Sequence, residues 1–211
     1  MKGVIIFIFF SGVLIMTWPA EAAVPVDLPD PDRSGGASLM QALDQRRSIR
    51  SFDSREIPED VLANVLWAAF GVNRADGGRT APSAHNAQEI DIYVARSDGT
   101  YRYMSRDNRL EPVLDRDIRA LAGKQDFTQQ APVNLIYVAD LSRFRHADEI
   151  NLKYAAADTG FISQNVYLFC ASEGLATVVL NWIDRDTLSR VLGLSETQQI
   201  MLTQPVGYPG S

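Results

Sequence analysis

The chain has 211 residues, 46% hydrophobic and 22% charged, a globular profile with room for one large domain or two small ones. A net charge of -6 argues against a general nucleic-acid binder. One cysteine, Cys170, excludes an intramolecular disulfide and any cysteine-rich metal site, and two isolated histidines, His85 and His146, do not suggest zinc.

Residues 1–22 have a basic start at Lys2, apolar runs over Val4–Phe10 and Val13–Met16, and a small-x-small site at Ala20-Glu21-Ala22. That is the layout of a secretory signal peptide cleaved after Ala22. The apolar run is broken by Ser11-Gly12 and is short for a membrane span. The expectation is a periplasmic or secreted protein with no stable membrane insertion after cleavage. An uncleaved anchor is the alternative.

Residues 23–37, rich in Pro, Asp and Gly, read as an extended linker. Ser38 can cap a short helix carrying Leu39, Ala42 and Leu43. Next comes Gln45-Arg46-Arg47-Ser48-Ile49-Arg50-Ser51-Phe52-Asp53, a basic, hydroxyl-rich stretch in an otherwise acidic chain. Guanidinium forks and serine hydroxyls suit a phosphate. A solvated basic patch beside a helix C-terminus is the other reading.

Pro58 opens a helix with Glu59 and Asp60 in its first turn and Leu62, Val65, Leu66 and Ala69 at helical spacing, stopped at Gly71. Residues 72–88 form a long polar loop, a length that is usually functional or disordered. Ile90, Ile92 and Val94 alternate as a strand, Ser97-Asp98-Gly99 turns, and Tyr101 and Tyr103 continue a hairpin. Asp117–Lys124 is weakly helical, and Val133–Ala139 reads as a buried strand. Region 147–173 is the longest helical pattern; its residues 166–171 are apolar all round, which predicts an enclosed position. Gly174 ends it. Thr177–Trp182 reads as a second buried strand. Asp184 or Asp186 caps a helix with Leu188, Val191 and Leu192, stopped at Gly193. Ser195–Gln198 has capping-box spacing, and Ile200–Val206 is a last strand. The pattern predicts a sheet flanked by helices, α+β or α/β.

There is no dinucleotide fingerprint, phosphate-binding P-loop or nucleophile elbow. Cys170 sits in the most apolar helical stretch and reads as structural. No side chain stands out as nucleophile or general base, so the expected catalytic residues are none: any chemistry would belong to a cofactor.

Three segments, in order, resemble the flavin-binding nitroreductase family: Arg46–Phe52; Ala81-Pro82-Ser83-Ala84-His85-Asn86-Ala87-Gln88 leading into a strand; and Gly174–Asp184, with Val206-Gly207-Tyr208-Pro209 near the end. Arg79–Ser83 with Gly99-Thr100-Tyr101-Arg102-Tyr103 also resembles the branch that includes azoline-oxidising dehydrogenases. The resemblance covers residues 38–209. It implies an α+β fold over residues 38–211, with a central, mainly antiparallel sheet flanked by helices around a long core helix. It further implies an FMN-dependent oxidoreductase, a homodimer with flavin at the subunit interface, passing hydride through flavin N5 between an electron donor and a small organic acceptor; the signal sequence, unusual for such an enzyme, would make it an exported one. By position, Arg46, Arg47 and Ser48 would face the FMN phosphate and ribityl chain, and Arg50 the pyrimidine edge of the ring. Asn86 would offer its amide to the ring's polar edge, with Ser83 also among the cofactor-binding residues and Gln88 supporting their loop. Leu180 and Asn181 would lie near N5 through backbone groups. No metal is implied. The chain departs from the family pattern at His85 and Glu89, where an apolar residue and often a proline are expected. It also lacks a Lys or Arg after Pro209, which puts the phosphate on Arg46 and Arg47. A peptide-derived azoline substrate, or a flavin-free binding module, are the alternative readings.

Overall fold

The computed structural model describes residues 24–146 and 148–211; the expected signal peptide lies outside the described residues. Seven strands form one antiparallel sheet: β1 (Val26–Asp27), β2 (Ile90–Arg96), β3 (Gly99–Met104), β4 (Arg109–Leu114), β5 (Val133–Asp140), β6 (Ala176–Thr177) and β7 (Gln198–Gly207). Their order across the sheet is β1-β4-β3-β2-β5-β7-β6. The helices are α1 (Leu39–Gln45), α2 (Glu59–Phe70), α3 (Phe127–Gln130), α4 (Glu149–Glu173) and α5 (Arg185–Leu192). This is the α+β architecture expected, with the 25-residue α4 as its long helix.

The period-two pattern of the central strands decides what covers each face. Ile92 and Val94 of β2, with Leu135, Tyr137 and Ala139 of β5, turn to α2 and α4. Tyr93 and Ala95, with Ile136 and Val138, turn the other way and meet Leu188 and Leu192 of α5. Because both faces are covered, β5 reads as a continuous apolar run.

Local signals set most boundaries. Ser38 and Gln41 form a reciprocal capping box on α1. Asp148 and Asp184 accept the N–H groups of Asn151 and Thr187 at the starts of α4 and α5. Gly174 and Gly193, at φ 67° and 66°, end those helices in the left-handed conformation that glycine adopts without steric cost. Pro58 is the residue before α2 rather than its first helical position.

Several expectations need correction. The strand expected over 177–182 is only Ala176–Thr177. Leu180 then makes an isolated bridge to Thr203, and Asn181 and Trp182 are exposed. The Ser195–Gln198 signal forms its side-chain bond, with Gln198 accepting the Ser195 N–H at 3.0 Å, but no helix follows; the chain turns into β7 instead. Of residues 166–171, only Val166 and Cys170 are buried, and Tyr167, Leu168 and Phe169 are half-buried. Strand β4 was not anticipated. The segment read as a linker is extended but docked: β1 pairs with β4, Leu28 is buried, and the Ala37 N–H reaches Ser172 Oγ at 2.6 Å.

Candidate functional site

The basic stretch is held by its own Phe52. That ring is buried with Ala131, Ala176, Val178 and Leu180, and its centroid lies 5.9 Å from that of Phe127. Backbone bonds sew the stretch to two other segments. Ile49 N–H donates to Thr177 O at 3.0 Å, Asp53 N–H to Tyr208 O at 2.9 Å, and Gly210 N–H to Ser51 O at 3.0 Å. With its backbone fixed from both sides, the stretch turns Arg47, Ser48 and Arg50 to solvent. Arg46, Arg47 and Arg50 make no ion pair among the described residues.

Tyr167 of α4 organises this end. Its hydroxyl accepts the Val179 N–H at 2.8 Å and lies 2.9 Å from Ser48 Oγ. Either hydroxyl can donate in the Ser48–Tyr167 contact, so a chain of hydrogen bonds links Val179 N–H, Tyr167 and Ser48 and holds the Ser48 hydroxyl in place at the surface. The Arg46 guanidinium lies 5.3 Å from the Tyr167 ring centroid, within cation–π range. A cleft of about 140 Å³ runs beside Arg47, Ile49, Tyr167, Gly174 and Thr177.

The 83–88 loop makes a second cluster. His85, Asn86 and Gln88 have φ of 55°, 52° and 49°, a left-handed conformation uncommon outside glycine. Each such residue costs on the order of 1 kcal/mol and persists only where the surroundings over-determine it. Here they do. Ser83 Oγ accepts the Gln88 N–H at 3.0 Å, Asp158 of α4 accepts the Ala84 N–H at 2.7 Å, and Arg143 donates to Gln88 O at 2.6 Å. The Gln88 side chain donates to Gly77 O and Asn86 Oδ1 and accepts from Arg79 at 2.9 Å. Burial and the neighbouring Arg106 lower the Arg79 guanidinium from its ordinary value. Gln88 therefore braces the loop, and the exposed Asn86 amide N–H groups have no acceptor among the described residues.

The third predicted segment is more committed than expected. Leu180 uses both backbone groups on Thr203, its N–H donating at 2.8 Å and its carbonyl accepting at 3.1 Å. Arg185 holds the Asn181 side-chain oxygen at 2.6 Å. The Asn181 carbonyl is also engaged, accepting the Ile183 N–H at 3.0 Å and Arg185 at 3.3 Å.

Within one chain, Arg46, Arg47, Ser48 and the segment from β6 to Leu180 meet around Tyr167. Ser83, Asn86 and Gln88 gather over Asp158, nine residues earlier on α4, a rise of roughly 13 Å. Sequence reasoning did not single out Tyr167, Asp158 or Arg143. For Tyr167 a signal existed: a phenol inside an apolar helical run needs a partner for its polar tip. Cys170 is buried, and burial raises its thiol well above the usual range, as suits a structural residue.

A single antiparallel sheet on one long helix, with a donor-rich basic segment and a strained polar loop held by that helix, defines an α+β domain. The model of the nitroreductase family matches residues 43–208. A protein of Methanocaldococcus jannaschii named as a nitroreductase is 32% identical over 193 residues, covering 86% of this chain and 95% of its own. The crystal structure of a Ralstonia eutropha protein described as a nitroreductase superposes with a TM-score of 0.85 at 39% identity, covering 92% of this chain and 93% of the other. The fold is also shared, at 21% identity and a TM-score of 0.61, with a Desulfovibrio desulfuricans nitroreductase crystallised with FMN; that match covers 84% of this chain and 91% of the other. The chain belongs to the nitroreductase family, a family of oxidoreductases whose members generally bind flavin.

Proposed function

We propose that this chain is an exported FMN-dependent oxidoreductase acting on a small organic acceptor. The observation that carries the reading is the arrangement at Arg46-Arg47-Ser48: two guanidinium groups without ion-pair partners among the described residues, beside a hydroxyl held in place by Tyr167. Such a donor set fits a phosphate. The free amide of Asn86 fits a ring edge that both donates and accepts. Arg50, exposed and without an ion pair among the described residues, suits the ring end, where a fixed cation meets developing negative charge. Bound FMN would supply two-electron chemistry at its N5, between a reduced donor and the acceptor. The protein's part is binding, orientation and electrostatics.

A homodimer accounts for the distance between the two clusters. Ile150, Tyr154 and Phe161 are exposed at 61%, 40% and 49%, and with Ala157 they form a stripe at helical spacing along α4. An apolar stripe of this kind suits an isologous contact with a second copy, which would bring one chain's 83–88 loop toward the other's basic segment. Export is supported by Lys2, the apolar run and Ala20-Glu21-Ala22.

The test is direct. The mature chain, purified and reconstituted with FMN, should show a flavin visible spectrum that survives gel filtration and bleaches with a chemical reductant. A colourless protein after reconstitution would overturn the reading.

A further inference from the structure

The segment after β6 holds two main-chain donors that nothing in the chain uses. Backbone polar groups in a folded chain are normally paired, so each one can be followed to its partner. Val179 N–H goes to the Tyr167 hydroxyl, Leu180 N–H to Thr203 O and Ile183 N–H to Asn181 O. The carbonyls of Leu180, Asn181 and Trp182 accept from Thr203 N–H at 3.1 Å, Ile183 N–H at 3.0 Å and Lys124 N–H at 3.0 Å. The N–H groups of Asn181 and Trp182 have no acceptor among the described residues, and both residues are exposed. Two consecutive donors are therefore left to a ligand or to water.

Arg185, the first residue of α5, fixes this shape. Its guanidinium donates to four oxygens: Asn181 Oδ1 at 2.6 Å, Met201 O at 2.7 Å, Ile200 O at 2.9 Å and Asn181 O at 3.3 Å. The acceptors on β7 exist because that strand is irregular and open here. The register slips between Tyr137 and Val138, so Met201 has no partner in β5. On its other edge β7 meets β6 at Val206 and Gly207 and Leu180 at Thr203, which leaves Gln198–Leu202 without a neighbouring strand. Asn181 is thus tied to a bulged strand edge through one planar fork. The Ile183 bond then closes a three-residue turn with Trp182 at its centre. Arg185 makes no ion pair among the described residues, so a cation without a carboxylate partner sits beside Asn181.

We infer that Arg185 is a positioning residue: it clamps Asn181 so that the Asn181 and Trp182 N–H groups form a preorganised donor pair for the edge of a bound ring that becomes electron-rich on reduction. That the ring is a flavin rests on the proposed function; the clamp and the unused donors do not. Such a pair binds the reduced ring more tightly than the oxidised one, and the nearby guanidinium acts in the same direction. Lysine keeps the charge but not the fork, so it cannot hold Asn181 and both β7 carbonyls together.

The experiment compares wild type, Arg185→Lys and Arg190→Lys. Arg190 is the control: it lies on the same helix and bonds only Asp186 O and Thr187 Oγ1. Amide exchange at Ile183 in the apoprotein reads the clamp without flavin. In Arg185→Lys it should quicken about tenfold as the turn opens locally. FMN should slow exchange at Asn181 and Trp182 in wild type. The Kd of reduced FMN should rise about tenfold more than that of oxidised FMN in Arg185→Lys, a two-electron potential lower by about 30 mV. Arg190→Lys should match wild type throughout. Equal weakening of both redox forms would make Arg185 merely structural and overturn its role, as would unchanged Ile183 exchange. Bound FMN with Asn181 and Trp182 still exchanging freely would overturn the donor pair. Faster Ile183 exchange in Arg185→Lys, with no FMN binding by wild type, upholds the clamp and removes the flavin reading. If Arg185→Lys does not fold, Asn181→Ala, which deletes the 2.6 Å anchor, is put to the same comparison and the same outcomes decide.

Discussion

Replacing Tyr167 by Phe deletes one oxygen and with it two contacts, the 2.8 Å bond from Val179 N–H and the 2.9 Å bond to Ser48. The ring remains, so the Arg46 cation–π contact is retained and the change isolates the hydroxyl. A buried donor left without an acceptor costs about 1–3 kcal/mol. Val179 is half-buried and the cleft of about 140 Å³ beside Tyr167 has room for water, so the lower end applies. The expected loss is about 1 kcal/mol, a fall in Tm of roughly 2–4 °C for a domain of this size. FMN binding should suffer more than stability, because Ser48 loses the hydroxyl that holds its side chain in place. A loss of about 1.4 kcal/mol there is about tenfold in Kd. Urea denaturation gives the first figure and flavin titration the second. Unchanged FMN affinity in a Tyr167→Phe protein that has lost the stability increment would refute the chain of hydrogen bonds as a binding device.

Two further substitutions separate the parts of the site. Arg46→Ala removes a charge-assisted donor, worth about 1.5–3 kcal/mol, so isothermal titration should show FMN affinity reduced by at least tenfold; wild-type affinity would remove Arg46 from the phosphate. Phe161→Glu places a charge in the exposed stripe of α4 and should shift sedimentation from dimer to monomer with loss of bound flavin, while far-UV circular dichroism stays native. A dimer unaffected by that change would mean the stripe is not the contact.

The elements that could be read from sequence are those whose local chemistry and burial agree. Helix α5 carried an aspartate cap, an apolar face and a glycine stop, and it forms where those signals put it. Strand β5 was legible because its run is buried on both faces. The run at 177–182 misled because apolarity reports burial, not ladder pairing: Val178 and Leu180 pack around Phe52 while the backbone leaves the sheet after Thr177. Strand β4 escaped because its Arg109, Glu111 and Pro112 suit a strand near the sheet edge, where charge and proline are tolerated. In the site, residue types were legible and partners were not. Ser48 and Tyr167 are 119 positions apart, and Ala84 and Asp158 are 74 apart. The left-handed backbone at His85, Asn86 and Gln88 runs against what those residues prefer alone; it exists because α4 and Arg143 hold it.

Helix α4 gives the two clusters a common ruler. Asp158 supports the loop and Tyr167 supports the basic segment, with exposed Phe161 between them in sequence. If α4 packs against a second copy of itself about a two-fold axis, the loop over one chain's Asp158 is carried toward the segment over the other's Tyr167, and one ligand spans both. If each chain served its own ligand, the separation of roughly 13 Å along one rigid helix would have to be bridged within a single chain. Complementation separates these cases. Arg46→Ala and Asn86→Ala chains, each weak in FMN binding alone, are unfolded together and refolded at equal amounts. Random pairing makes about half the dimers mixed, and each mixed dimer holds one intact site and one doubly damaged site. About a quarter of all sites should then bind FMN with wild-type affinity. A mixture that binds no better than its parents would show that both clusters serve the ligand within one chain.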